Sequence, residues 1–417
     1  MADGATPMDG QASPIATPRY ARKKEAILAA ATAILNRQGV KGMTLAGVAA
    51  EVGLITTSVT YYYRKKDDLA AACLLRGIES FDAIITHAAE ADDWEGRLTR
   101  FLDAYLDLAR RIRLREAPPL VSFTEMRALK EPQRTEVTDA FSAMFRKFRS
   151  FFDAPQFAWM DRRETNARTH LLLEQAFWTN QWLRRYDVED YPRLRERMLD
   201  ILIHGLATKG QAWAPTPLTQ LTLTPSAAQE DAARDTFLRA ATRLINQRGY
   251  RGASVEDISA QLNVTKGSFY HHNDAKDDLV VDCFNRTFAV MRRAQLATRD
   301  MPGGQWQRLA SATAALVEYQ LSEHGPLLRA SAMGALPPEI QQRMIERYNR
   351  VSDRFASMVS DGIAEGSIRP VDPMIAAHML NAVLNGAASL ESWAPGVTRQ
   401  EAASLFARPL LQGVFSR

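Results

Sequence analysis

Two short stretches of this sequence bring together hydroxyl, aromatic and basic side chains in a pattern suited to binding a polyanion. Leu54–Tyr63 reads LITTSVTYYY, and Val264–His272 reads VTKGSFYHH. Threonine and serine hydroxyls donate to phosphate oxygens and base edges, and tyrosine offers a rigid side chain with a terminal hydroxyl. We therefore predict contacts with DNA. In the first stretch they come from Thr56, Thr57, Ser58, Thr60, Tyr61 and Tyr62, with Lys66 close behind.

The two stretches belong to one segment that occurs twice. With a shift of 210 positions, Gly39 falls on Gly249 and Asn36 on Asn246, and the tetrapeptide KDDL repeats as well. Solenoid repeats have periods of roughly 20–50 residues, so a period this long indicates a duplicated domain.

Glycine and threonine residues around the first stretch predict where its helices begin and end. Apolar residues over Ile27–Leu35 recur with a helical period, and Gly39 predicts the end of that helix. Thr44 is a suitable N-cap for a second helix, and Gly53 predicts a turn before a short third helix, Thr56–Tyr62. A supporting helix followed by two short helices joined at a glycine turn predicts a helix-turn-helix module.

Both copies of the segment resemble one family. The second copy reads GYRGASVEDISAQLNVTKGSFYHHNDAKDDL and the first GVKGMTLAGVAAEVGLITTSVTYYYRKKDDL. They resemble the TetR family of bacterial transcription regulators, and beyond them the resemblance extends only to the helical pattern. It implies an all-α fold in which each repeat has a three-helix DNA-binding domain and a helical ligand-binding and dimerisation body. It also implies a DNA-binding regulator, usually a repressor.

The resemblance also implies site residues in the second copy. Lys266, Ser268, Tyr270 and His271 match positions that meet DNA in the family, and Gly267 lets the backbone approach it. The predicted DNA-binding set is completed by the capping positions Thr44, Ser254 and Thr265 and by Lys276. Tyr63 aligns with a buried phenylalanine of the family, so we predict that it packs in the core.

The repeat, the composition and the proline-rich stretches predict the domain organisation. The predicted parts are a disordered tail (1–18), a first DNA-binding domain (19–69), a first helical body (70–213), a linker (214–228), a second DNA-binding domain (229–279) and a second helical body (280–417). The linker is rich in proline and threonine and carries no charge over Ala214–Ala227.

The bulk properties narrow the function only slightly. A net charge of +4 mildly favours an anionic partner. Two cysteines at equivalent repeat positions on apolar helix faces fit core packing and a reducing cytoplasm better than a disulfide. We find no run of 18 apolar residues and no signal-peptide pattern, so we expect a cytoplasmic protein.

The first body is expected to be helical and rich in aromatic side chains. Core packing explains most of them, but some lie on one helical face and, with a few polar groups, are typical of a ligand pocket. The predicted ligand-binding residues are Phe101, Tyr105, Phe141, Phe145, Phe148, His170, Glu174 and Phe177 in the first body, with His378 and Asn381 in the second. The effector is expected to be small and largely apolar.

Metal and cofactor chemistry is not indicated. His170 and Glu174 are spaced as a metal pair, but no third ligand follows near them in the sequence. The adjacent His271 and His272 point about 100° apart on a helix and have no further ligand nearby. We expect no metal and no cofactor.

The parts together predict an internal pseudo-dimer, in which Asn166–Gly210 packs against Ile375–Gly413. We call the helix-turn-helix segment of each copy a reader. Two readers of unlike sequence in one chain predict two unlike operator half-sites on double-stranded DNA. Whether the chain acts alone or associates further stays open. The alternatives are a helical ligand-binding protein or scaffold with degenerate helix-turn-helix segments, and an all-α enzyme. We favour no enzymatic activity, because common catalytic motifs do not occur in the sequence.

Overall fold

The computed structural model describes residues 18–218, 229–250, 252–262 and 276–417. Within these ranges the chain is helical, and its extended pairing is limited to one isolated antiparallel bridge between Ala207 and Ile368. The all-α fold predicted from the sequence is confirmed. No helix in these ranges is both long and apolar enough to cross a bilayer.

The first half begins with the predicted helix-turn-helix segment and continues into a helical body. Its helices are α1 (Pro18–Gly42), α2 (Leu45–Glu51), α3 (Thr56–Tyr62), α4 (Lys66–Ala89), α5 (Trp94–Arg113), α6 (Gln133–Arg149), α7 (Arg162–Trp182) and α8 (Tyr191–His204). A 3₁₀ turn, Phe123–Ala128, lies between α5 and α6.

The second half repeats this order. Its described helices are α9 (Gln229–Arg248), α10 (Val255–Leu262), α11 (Lys276–Ala297), α12 (Gln305–Gln320), α13 (Pro338–Glu365), α14 (Pro373–Ala387), α15 (Leu390–Trp393), α16 (Arg399–Ala402) and α17 (Arg408–Gln412). A π-helical turn, Ala403–Ala407, joins the last two helices. Pro409 lies just beyond this turn and cannot donate a backbone hydrogen bond to the preceding turn.

The residues that cap and end the helices act as the sequence predicts. Gly39 has φ 64° and bends α1 near its end, and Gly249 has φ 73° just after α9. The Thr44 hydroxyl accepts the Gly47 N–H at 3.0 Å and caps α2. In the second copy Ser254 and Asp257 form a reciprocal capping box, with Ser254 Oγ donating to Asp257 Oδ2 at 2.7 Å.

Some helix ends differ from the prediction, and each has a local cause. α7 begins at Arg162 and not at Asn166, because Asp161 and Glu164 form a capping box. α8 ends at His204 and not at Gly210, because Gly205 takes φ 68°. The predicted packing segment Ile375–Gly413 is divided, because α14 ends at Ala387 and α15 begins at Leu390.

The two halves share one hydrophobic core. α7 of the first half packs against α14 of the second, and Gln175 Nε2 donates to the Met379 carbonyl across the interface at 3.1 Å. The buried Arg168 guanidinium donates to the carbonyls of Val414 and Ser416. The predicted internal pseudo-dimer is confirmed.

The predicted linker begins as packed chain. Trp306 Nε1 donates to the Ala212 carbonyl at 3.0 Å, and Thr216 N–H donates to Ser311 Oγ at 2.9 Å. The chain that leaves the first body therefore lies against the second. Positions 219–228, like the predicted tail up to position 17, lie outside the described residues.

Long helices connect each DNA-binding domain to its body. The predicted boundaries after positions 69 and 279 fall in the first turns of α4 and α11. Arg76 on α4 pairs with Glu25 on α1, and Arg286 on α11 pairs with Asp235 on α9 at 2.6 Å. Each supporting helix is thus joined by an ion pair to a helix that continues into the body.

Candidate nucleic-acid interface

The first reader is the pair α2 and α3, and α3 presents an exposed polar face. Thr56, Thr57 and Thr60 are exposed, and Ser58 is half-buried. Val59 is buried on the opposite face. α3 is therefore anchored by one apolar side and leaves its hydroxyls toward solvent, as a helix that enters a major groove requires.

The three consecutive tyrosines at the end of α3 have different environments. Tyr61 is 76% exposed, Tyr62 is half-buried, and Tyr63 is buried. Burial raises the pKa of Tyr63 to about 12. Tyr63 thus packs inside, as predicted from the sequence, and contact of Tyr61 and Tyr62 with DNA stays a prediction.

Tyr20 contacts both Tyr61 and Tyr62, and the sequence reasoning missed it. Its ring centroid lies 4.8 Å from that of Tyr62 and 6.3 Å from that of Tyr61. The only available signal was its place in the basic stretch that opens α1. The contact limits the orientations that the two tyrosine rings adopt before DNA is bound.

The predicted phosphate ligands Lys66 and Lys276 both have protein contacts. Lys66 Nζ donates to the carbonyls of Val40 and Lys41 at 3.0 and 3.2 Å. Lys276 Nζ lies 4.3 Å from the centroid of the Tyr250 ring. Each ammonium thus contacts the end of its supporting helix or the residues just after it, and a role toward phosphate remains a prediction.

The second reader is described only in part. Ser254 caps α10. The predicted DNA contacts Thr265, Lys266, Gly267, Ser268, Tyr270 and His271 lie outside the described residues.

An asparagine on each supporting helix joins that helix to the body. Asn36 Nδ2 donates to the Leu120 carbonyl, and Asn36 Oδ1 accepts the Ser122 N–H, both at 2.8 Å. In the second copy Asn246 makes the same two bonds, to Leu327 and Arg329, at 2.8 and 3.0 Å. The sequence showed these asparagines as repeated positions but gave no sign of their partners. We call each arrangement an amide clamp.

The two DNA-binding domains also meet each other. Lys41 Nζ donates to the Gly252 carbonyl at 3.2 Å. Glu125, in the 3₁₀ turn of the first body, accepts the Val40 N–H at 2.9 Å. A Cβ built on Gly249 would lie 3.5 Å from Glu125 Oε1. The Glu125 carboxylate therefore bonds to the bend of α1 and lies beside Gly249, just after α9.

The residues predicted to bind a ligand in the first body are packed against one another. Phe101, Tyr105, Phe141, Phe145 and Phe148 are buried, while Glu174 and Phe177 are half-buried. The Phe101 and Phe148 ring centroids are 4.5 Å apart, and the Tyr105 hydroxyl donates to the Ala176 carbonyl. These contacts are those of a core, and a ligand role for these residues stays a prediction.

His170 lies at the centre of the interface between the halves. Its Nε2 is 3.0 Å from the Gly386 carbonyl, so this nitrogen carries the proton. Burial lowers the pKa of His170 and keeps the ring neutral. In the described part of the chain no group of three side chains is arranged to hold a metal ion.

His378 and Asn381, the two ligand-binding residues predicted in the second body, are buried. The His378 ring stacks on Trp182 of the other half, with centroids 4.9 Å apart. Burial, followed by the charge of Arg185, lowers the pKa of His378 to about 3. Asn381 Nδ2 donates to Ser352 Oγ at 2.7 Å. Their role as ligand contacts remains a prediction.

The comparisons with known proteins agree with this geometry. Residues 27–73 and 237–283 each match the bacterial regulatory proteins of the tetR family, and residues 302–390 match the tetracyclin repressor-like C-terminal domain. The HTH-type transcriptional repressor Rv3405c of Mycobacterium tuberculosis is 31% identical over 147 residues, which are 34% of this chain and 69% of the repressor. The chain belongs to the tetR family.

Further relatives of this tetR-family chain align over a similar length. The HTH-type transcriptional repressor DhaR of a Mycobacterium species is 27% identical over 158 residues, 37% of this chain and 79% of DhaR. The structure of the TetR family regulator PfmR from Thermus thermophilus aligns with 20% identity and a TM-score of 0.36, covering 43% of this chain and 99% of PfmR. The protein is thus a DNA-binding transcriptional regulator in which the tetR-family DNA-binding segment occurs twice.

Proposed function

We propose that this chain is a ligand-responsive repressor whose two readers contact two unlike operator half-sites. The observation that carries the proposal is the presence of two tetR-type DNA-binding segments in one chain whose bodies share a core. Paired helix-turn-helix readers contact half-sites about 34–36 Å apart, one helical turn of DNA. Because α3 and its counterpart differ in sequence, the two half-sites differ as well.

The route from effector to DNA runs through the amide clamps and Glu125. A small, largely apolar effector binds in a helical body, with different affinities for the DNA-bound and the DNA-free arrangement of the protein. This difference changes the affinity of the protein for DNA. The clamps join each supporting helix to the segment just before the 3₁₀ turn of its body, which is Phe123–Ala128 in the first body and Ala330–Ala335 in the second. A shift of these segments moves the readers relative to each other.

Selection of bound sequences from a random DNA pool tests the half-site proposal. We expect two unlike half-sites about one helical turn apart. Recovery of a palindrome with one repeated half-site would show that one copy reads bases and that two chains pair to do it. That result would overturn the internal pseudo-dimer as the DNA-reading unit.

A matched pair of threonine variants tests the surface of α3. Thr60 on α3 and Thr99 on α5 both donate to the carbonyl four residues earlier, at 3.0 and 2.8 Å. We expect Thr60→Ala to weaken operator binding severalfold and Thr99→Ala to leave it unchanged, with equal melting temperatures. Fluorescence anisotropy with the selected operator measures the affinity of each variant. Equal affinities would show that Thr60 on α3 does not contribute to DNA binding.

A further inference from the structure

A cleft with a volume of about 410 Å³ opens between the two halves, at the end of α6 and the start of α7. Its walls include four arginines, Arg146, Arg149, Arg162 and Arg163, and the second half contributes Trp393. None of the residues that line this cleft, all of which the structure describes, is acidic. The volume lies within the range of about 300–1,000 Å³ typical of small-molecule sites. We call it the arginine cleft.

The charges of this cleft are largely uncompensated. Arg163 pairs with Glu401 at 3.2 Å. Arg149 donates to the neutral amide oxygen of Asn166 at 2.9 Å. Within the described ranges, Arg146, Arg149 and Arg162 have no carboxylate within ion-pair distance. Three like charges around one cavity repel each other, and an anion between them relieves that repulsion.

An aromatic wall lies beside the arginines. The Phe145 and Trp393 rings stack with centroids 4.1 Å apart and an angle of 16° between their planes. Asn166 Nδ2 donates to the Trp393 carbonyl at 2.9 Å and holds this wall in place. Stacked face to face, the two rings cover each other, so the half-buried Trp393 is the one of the pair that leaves apolar surface to the cleft beside the cationic rim.

The surroundings indicate which side of the arginines an anion occupies. A neighbouring cleft of about 340 Å³ shares Arg149 and Arg162, but Asp153 and Asp161 also line it. The carboxylates of this neighbouring cleft repel an anionic ligand. The Trp393 side is thus the favourable one.

The arginine cleft lies far from the readers. α6 begins at Gln133, whose side chain donates to Asp68 in the first turn of α4 at 2.7 Å. α6 ends at Arg149, and a rise of 1.5 Å per residue places that end about 24 Å away. The DNA backbone that the readers contact is therefore not the anion that this cleft accommodates.

We propose that the arginine cleft binds a small molecule that has an apolar part and at least two negative charges, as carboxylates or phosphate. Such a ligand packs its apolar part against Trp393 and is held by Arg146, Arg149 and Arg162. It bridges the halves, because α6 and α7 come from one and Trp393 from the other. An effect of this ligand on DNA binding rests on the proposed ligand response of the repressor. Binding of the ligand to the arginine cleft does not depend on that response.

Isothermal titration calorimetry at low salt tests the site with two dianionic probes, 1-naphthyl phosphate and 2,6-naphthalenedicarboxylate. The neutral 2-naphthol serves as a probe without charge. The test variant is Arg146→Gln with Arg162→Gln, two exposed side chains. The matched control is Arg111→Gln with Arg113→Gln, which removes the same charge from exposed positions on α5.

We expect at least one dianion to bind, with an affinity that falls at least tenfold in the test variant and less than twofold in the control. The probe that binds more tightly distinguishes a phosphate ligand from a carboxylate one. Absence of heat with both dianions at millimolar concentration, equal binding of 2-naphthol, or unchanged affinity in the test variant would each overturn the proposal. Operator binding of the same preparations, measured without probe, tests the regulator function separately.

Discussion

At the scale of single residues, the amide clamps are equivalent in bonding but not in burial. Asn36 is exposed, whereas Asn246 is half-buried. Replacing Asn246 by alanine leaves the Leu327 carbonyl and the Arg329 N–H without their partners, which costs about 1–3 kcal/mol when water cannot replace them. Asn36→Ala exposes equivalent groups to water and costs about 1 kcal/mol or less. Thermal unfolding of both variants checks the order, and a larger loss in Asn36→Ala would contradict it.

His378 gives the stability a dependence on pH. Its pKa is about 3 in the folded protein because of burial and the charge of Arg185, against about 6.5 in an unfolded chain. Between these values the unfolded chain binds more protons, so stability is full above pH 6.5 and falls as the pH drops. We expect His378→Phe, which keeps a ring on Trp182, to reduce this slope by up to about 1.4 kcal/mol per pH unit. Urea unfolding from pH 6.5 to 5 measures it, and an unchanged slope would refute the assignment.

At the scale of elements, Gly205 is where α8 joins the second half. It has φ 68° and ψ −162°, and a Cβ there would lie 2.5 Å from the Leu411 carbonyl oxygen. We expect Gly205→Ala to cost about 3 kcal/mol, from backbone strain and from this collision. Gly366→Ala is the control, because its φ is 81° but no atom lies within 4 Å. It should cost about 1 kcal/mol, and equal denaturation midpoints would contradict the prediction.

The elements also show how far the sequence leads. The turn at Gly39, the cap at Thr44 and the capping box at Ser254 were predictable, because each depends on neighbouring residues. The contact of Lys41 with Gly252 was not, because it depends on how two separate domains approach each other. The arginine cleft escaped prediction for the same reason, since α6 and Trp393 are distant in the chain.

At the scale of the whole molecule, the shared core supports the proposal that one chain is the unit that reads the operator. We expect sedimentation of the DNA complex to show one chain of 46.6 kDa per operator. The expectation follows from the packing of α7 on α14, which fills the place that a second protein molecule would otherwise take. A complex with two chains per operator would show that the internal pair is not sufficient.

The presence of both readers in one chain also has a genetic consequence. In a protein built from identical subunits, a cell with one intact and one defective gene copy assembles mixed dimers, and the defect spreads to intact chains. Here each chain brings both readers, held by its own α7 and α14. If one chain reads the operator, as proposed, a substitution in α3 disables only the molecules that carry it, and we expect such alleles to be recessive.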